Sequence, residues 1–546
     1  MPIQADAARD PAATRGRTLS LCLVFVLTSL YALPLVPLEL NLYDEGVRLY
    51  GASQVLAGHL PYYDFFAYYG PAQFYWPAIL FKLFGTEIVV ARLGAVVFIC
   101  IAAVAVFALC RHAGLSWSWA AIPIVALVVP LRAGSQLMAC DPALSLVLAA
   151  GASLTGAWGD RRRTFLAGIL LGLAVTFRHD FGLYGAIAGA TVLLWGRREA
   201  PGEAHHRSTT VNRLVAPMRD LCGFIGGIAI VTLPAYGLLA LHGPERLAEA
   251  LLTEPARLMP FRTLPYAYYE VPFLHAPGRT HEGAPITLAG PGTIALFVTP
   301  LLALTLSFTL LFRRERHRLS NRFARLETLL FALVAAAGLS VYALGRSDWY
   351  HVYPLHVFSV LVASLILGSH VGSALRLLAI VVALVAVTGL VIRAALVASG
   401  HIKTTISLSI PRAKAIAVSP DLAWIDDAVR DISRSGPDGP ILVAAPRHDR
   451  VHTNAVILYF LSGRPSGTYF HDMIPGLTTT HQVQEHIVKD LARNHVQTVV
   501  VWKAPLPDEP NRSRVSSGVF VLDDYLRSEF APVRQTANYD IFVRRE

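Results

Sequence analysis

Charge is scarce in this chain and unevenly placed. Only 15% of the 546 residues are charged, 54% are hydrophobic, and mean hydropathy is +0.49. That balance excludes an ordinary soluble globular protein. Cysteine is scarcer still: Cys22, Cys100, Cys110, Cys140 and Cys222 stand at no metal-ligand spacing, and none follows Cys222. The C-terminal region therefore has no disulfide framework, and nothing points to redox or zinc-finger chemistry. The chain lacks a P-loop, a Gly-x-Gly-x-x-Gly following a strand, a Gly-x-Ser-x-Gly and a His-Glu-x-x-His. Neither an ATPase nor a nucleotide-sugar Rossmann domain is evident. Acidic residues are nearly absent from the interiors of the apolar runs, which argues against a proton-coupled transporter.

What the chain has in abundance is long apolar stretches, about eleven of them within the first 400 residues. A bilayer core needs about 20 apolar residues per helix, and spans are expected at roughly 19–38, 88–110, 117–131, 142–158, 164–177, 181–195, 221–242, 292–312, 328–344, 351–370 and 374–397. The polar tail 1–18 carries Arg9, Arg15 and Arg17 and leads into Leu21–Leu38 with no small-residue cleavage site, the pattern of a signal-anchor helix. The net charge of +10 comes from basic clusters between spans: Arg111-His112, Arg161–Arg163, Arg197–Arg219 and Arg313–Arg325. Counting from a cytoplasmic N-terminus, all four fall on the cytoplasmic side, as the positive-inside rule requires. This distribution speaks against a nucleic-acid partner.

The same count places the loop 39–87 outside, where it reads as structured. Residues 45–58 have Leu49, Ala52, Val55 and Leu56 at helical spacing, and 68–84 reads as a Tyr- and Trp-rich helix lying in the interface. A second outer excursion, 243–291, carries Arg262, His275 and His281. After about residue 398 the composition turns soluble. Strands are expected at Ile441–Ala445, Thr498–Trp502 and Asp540–Val543, and helices at Asp421–Ser433, Asn454–Leu461 and Gln482–Ala492. The expected architecture is a polytopic α-helical membrane domain, 19–398, followed by a small α/β domain, 399–546, outside the cytoplasm.

Four clusters of ionisable residues fall on the outer face. Tyr43-Asp44-Glu45 follows the first span; a carboxylate pair kept there could act as a general base or hold a cation, or Asp44 could simply cap the helix after it. Asp141, before Pro142, opens a span in the same way, and reads either as an ordinary helix start or as a second working acid. Gly345 to His351 ends a hairpin of spans. Arg346 can grip a phosphate bidentately with His351 beside it, or pair with Asp348 in a turn. Arg178-His179-Asp180 makes another tight turn that could reach the same anion or be a solvated loop.

The order of these features resembles the GT-C superfamily of polyprenyl-phosphate-sugar glycosyltransferases, which includes protein O-mannosyltransferases, the lipid A aminoarabinose transferase and the rhizobial galacturonosyltransferases. The residues that carry the resemblance are Tyr43-Asp44-Glu45, Tyr69-Gly70-Pro71 through Phe84-Gly85, Arg92 and Asp141-Pro142. It implies a bacterial inner-membrane enzyme that moves a sugar from an undecaprenyl-phosphate donor to a lipid, glycan or protein acceptor on the periplasmic face, with inversion. Asp44, Glu45 and Asp141 would be its catalytic acids, and Arg346, His351 and Arg178 would hold the donor phosphate. A divalent cation stays open as a cofactor, although Tyr69-Gly70-Pro71 departs from the charged or histidine residue that many relatives place before that proline. The rival expectations are a transporter or flippase of lipid-linked sugars, and a membrane scaffold whose outer domain binds a partner.

Overall fold

The computed structural model describes residues 11–128, 130–131, 137–156, 160–195, 210–266, 297–303, 305, 323–368 and 405–546. The expected span 374–397, His275, His281 and most of the span 292–312 lie outside the described residues, as does most of the basic loop 313–325. The first helix, α1 (Pro11–Ala32), starts within the polar tail and turns Leu23, Phe25, Val26, Leu27 and Leu30 outward. It ends earlier than expected because Pro34 cannot continue an α-helix, and a 3-10 turn over Leu33–Leu35 follows. Next come α2 (Asp44–Leu56), α3 (Ala72–Phe84), α4 (Ile88–His112), α5 (Trp117–Val128), α6 (Cys140–Leu154), α7 (Arg161–Phe177), α8 (His179–Trp195) and α9 (Thr210–Ala240). Past α9, α10 (Pro244–Ala248) and α11 (Glu254–Arg262) are joined by a π-helical turn, and α12 (Phe323–Gly345) and α13 (Trp349–Leu367) form a hairpin.

By length and composition α1, α4, α9, α12 and α13 are apolar and long enough to cross a bilayer, and α5 and α6 are shorter apolar helices. The chain is a polytopic helical membrane protein. Its central layer is α4 on α6, α6 on α7 and α7 on α9, with α12 packed on α8 and α13 on α5. At thirteen residues α3 is about 20 Å long, short of the roughly 30 Å hydrocarbon core. Its exposed side shows Ile79, Leu83 and Phe84, an apolar face consistent with the interfacial helix expected there.

Residues beyond 405 form an α/β unit. Its main sheet has the order β3 (Ile441–Ala444), β4 (Thr498–Trp502), β6 (Tyr539–Arg544), β5 (Phe530–Gln535), following a two-stranded ribbon of β1 (Ile406–Ser407) and β2 (Ala417–Val418). β3 and β4 run parallel and the other pairs antiparallel. The helices α14 (Trp424–Arg434), α15 (Ile457–Ser462) and α16 (His481–Arg493) lie close to their expected places, and α17 (Val521–Glu529) precedes β5.

This unit shares its core with the first loop. Leu49, Tyr50, Phe74, Phe81 and Ile88 pack in one cluster with Ile410, Ile425, Val456, Phe460 and Ile541. The backbone is stitched across as well: Glu39 N–H donates to the Ala417 carbonyl at 2.8 Å, Ala417 N–H to Pro37 at 2.7 Å, Ile457 N–H to Leu42 at 3.0 Å and Phe66 N–H to Tyr469 at 3.0 Å. Gly46 on α2 lies against the backbone of Val456 and Ile457 so closely that a Cβ would collide with it. The expected boundary near 399 separates two compositions, and the core crosses it.

Candidate functional site

At the start of α2 the two acids part ways. Asn41 Oδ1 accepts from the N–H groups of Tyr43 (3.1 Å) and Asp44 (2.8 Å), and Asp44 is the first residue of α2 with Tyr43 at the cap position, so Asp44 does not serve as the helix cap. The Asp44 carboxylate, which accepts from Asn41 Nδ2 at 3.4 Å, lines a cavity of about 410 Å³. Glu45 turns the other way. Its two oxygens meet Arg92 Nε at 2.7 Å and Nη2 at 2.8 Å, and both side chains are buried. Arg92 spends its remaining donors on the carbonyls of Val36, Leu38 and Glu39. All five guanidinium donors are thus used, and the Glu45–Arg92 pair pins α2 to α4 and to the chain entering the loop.

Asp141 lies in the first turn of α6, one residue past the helix start, with Ala139 at the cap position. It is buried, with Cys140 Sγ 3.6 Å from its Oδ1, while its neighbours Met138, Ala139 and Cys140 form part of the cavity wall. The wall is held by Gln73 of α3, whose amide donates to the Ala139 carbonyl at 2.7 Å and to Phe177 at 3.2 Å, joining α3, α6 and α7.

The three phosphate-binding residues expected from the sequence, Arg178, Arg346 and His351, line the same cavity. Arg178 sits on Asp180 (3.0 and 2.7 Å) and lies over the rings of Tyr342 and Phe181. Arg346 donates to Asp348 at 2.7 Å and to the Arg262 carbonyl at 2.9 Å. His351 Nδ1 is 2.6 Å from Asp348, which also caps α13 through the His351 N–H. Burial works to raise the Asp348 carboxyl, and His351 and Arg346 overcome it, holding it well below the usual carboxylate range. A second cavity of about 280 Å³ shares this wall through Tyr69, Arg178, Arg262, Tyr342, Arg346 and His351.

The sequence reading missed Arg48. It follows Asp44 by four residues, so it shares that residue's helix face, and the spacing was the available signal. One Nη1 donor meets the Asp44 carbonyl, while Nε and Nη2 are buried with no hydrogen-bond partner. Such bare buried donors on a cavity wall call for an anion. Arg48 and Arg178 both stand 5.8 Å from the centre of the Tyr69 ring. The C-terminal unit was missed as a contributor too: His452, Thr453, Ile474, Pro475, Glu509 and Ser513 complete the cavity. Among the described residues no group of three or more His, Cys, Asp or Glu is arranged to hold a metal ion.

The structure of ArnT from Cupriavidus metallidurans bound to undecaprenyl phosphate superposes over 96% of this chain and 98% of its own, with a TM-score of 0.56 at 14% identity. Its apo state aligns with a TM-score of 0.55, also at 14% identity, over 97% and 98% of the two chains. This chain has the ArnT fold. The match runs through the membrane helices and the C-terminal unit together, and the GT-C resemblance read from the sequence holds at the level of the fold. No protein-family model and no curated protein matches the sequence.

Proposed function

We propose that this protein is a GT-C glycosyltransferase of the bacterial inner membrane, moving a sugar from an undecaprenyl-phosphate donor to a lipid, glycan or protein acceptor on the periplasmic face. The observation that carries the reading is one cavity lined together by Asp44, Arg48, Arg178, Arg346 and His351. A base and a set of phosphate-binding donors around one space of that size are what displacement of a phosphate by a hydroxyl requires. The acceptor oxygen attacks the anomeric carbon, its proton passes to Asp44, and the bond from that carbon to the phosphate oxygen breaks with its electron pair leaving on the phosphate. The departing phosphate gains one negative charge, and arginines already in place stabilise it in the transition state more than in the ground state. A single displacement inverts the anomeric carbon.

Within this reading Asp141 supports the acceptor side, and Glu45 stays outside the chemistry as a structural pin. The topology proposed with it has eleven spans, a cytoplasmic N-terminus and the α/β unit in the periplasm. The test uses purified protein in detergent, a labelled panel of polyprenyl-phosphate sugars and a cell-envelope lipid extract. Wild type is expected to move label to an acceptor, and Asp44→Asn to lose transfer with an unchanged melting temperature. Full activity in Asp44→Asn would remove Asp44 from its role, and repeating the assay with a chelator decides whether a divalent cation takes part.

A further inference from the structure

The Arg346 guanidinium is occupied by a carboxylate that arrives from the other end of the chain. Glu509 Oε1 lies 2.6 Å from Nη2 and Oε2 lies 3.0 Å from Nη1, the two-pronged geometry in which arginine also takes a phosphate. The carboxylate is buried and lies on the wall of the cavity that holds Asp44. Arg346 belongs to the wall common to both cavities, so an anion passing between them meets it. Glu509 is itself aimed by Asn511, whose amide donates to Oε2 at 2.9 Å and to the Thr263 carbonyl at 3.2 Å. The next residues make a short 3-10 turn, Arg512–Arg514, without strand pairing to anchor them.

We propose that Glu509 holds the donor phosphate's place on Arg346, so that the C-terminal unit keeps this seat closed until the lipid phosphate displaces it. The inference rests on the donor reading given above. Two features favour a place-holder over a fixed support. Asp348 already orients Arg346 from the Nε side at 2.7 Å, so the guanidinium has a permanent partner on its own element. Glu509 covers Nη1 and Nη2 while Asp348 holds Nε, and Nη1 with Nη2 is a pair that a phosphate can take in the same two-pronged way. Displacement costs the Glu509 contacts and returns phosphate contacts of the same type. Arg346 therefore stays paired through the exchange, and the released Glu509 carboxylate has to move with its segment toward water.

The experiment measures undecaprenyl phosphate binding to the full chain in detergent by native mass spectrometry, alongside hydrogen exchange of residues 505–516. Removing a competing anion strengthens binding, whereas removing a support weakens it. Glu509→Gln is therefore expected to bind about tenfold more tightly than wild type, the size of one charge-assisted hydrogen bond. In wild type the 505–516 segment is expected to exchange faster once the lipid phosphate is bound. Equal or weaker binding by Glu509→Gln, with wild type binding normally, overturns the place-holder and makes Glu509 a support for Arg346. Absence of binding in both proteins overturns the donor reading itself. Should Glu509→Gln fail to fold, Asn511→Ala loosens the same carboxylate without touching Arg346. It is expected to tighten binding by a smaller factor, and unchanged binding there overturns the proposal.

Discussion

Asp44 and Glu45 are neighbours in the chain with opposite employment, and the difference is set by who else is present. Glu45 finds Arg92 with every donor satisfied and both side chains buried, while Asp44 lines the cavity with Asn41 as its side-chain neighbour. Adjacency in sequence made the two look like one catalytic pair; nothing in the spacing says that Arg92, 47 residues later, will claim one of them. Breaking a buried ion pair strands a charge, which costs roughly 3–5 kcal/mol, whereas replacing both partners with apolar groups of similar volume can be nearly neutral. Glu45→Gln should therefore lower the melting temperature in detergent by several degrees. The double variant Glu45→Gln, Arg92→Met should recover part of that loss. A Glu45→Gln protein that melts like wild type would contradict the pin.

Elements were legible in proportion to how strongly their surroundings dictate their pattern. Lipid demands continuous apolar helices, so the expected spans on described residues correspond to helices; β3 and β4 were readable as short apolar runs, and β6 because buried Tyr539 and Ile541 alternate with more exposed Asp540 and Phe542. β5 was not read: Phe530–Gln535 contains Pro532, and its pairing with β6 shifts register between Pro532 and Arg534. A proline at an irregular edge strand erases the alternation on which such a reading depends. The docking of α2 on α15 was equally silent, since one glycine looks like any other. Gly46 faces the Val456–Ile457 backbone with no room for a methyl group, while Gly223 in α9 has nothing near it. Gly46→Ala is thus expected to cost about 1–3 kcal/mol through overpacking, and Gly223→Ala to leave the melting temperature unchanged or slightly raised. Thermal unfolding of the two variants side by side checks the contact, and equal behaviour would refute it.

At the scale of the whole molecule, the composition break near residue 399 was plain and its meaning was not. A soluble composition suggests an appended domain, whereas the α/β unit completes a core and a cavity that begin at residue 40. Its most telling residue is Asp472, fully buried beside Tyr43, Arg262 and Asp44. Burial pushes its carboxyl up to about 7, with the Tyr43 hydroxyl and Arg262 opposing and Asp44 adding to the rise. The adjacent His471 is pushed down to about 3 by burial and stays neutral over the range that matters. In the unfolded chain Asp472 titrates near its ordinary value of 3.8, so between about 4 and 7 the native state holds a proton that the unfolded state has lost. Stability from this group is complete below about pH 4 and falls as pH rises through 7, by about 4 kcal/mol for three pKa units. Asp472→Asn keeps the shape and removes the titration. Wild type should lose melting temperature between pH 5.5 and pH 8.0 by more than the variant does. Because the carboxylate sits where the two halves meet, its ionisation should also raise protease sensitivity near residue 405 in wild type alone. Parallel pH profiles for the two proteins would mean that Asp472 is solvated, and that the halves are less closely joined than the shared core implies.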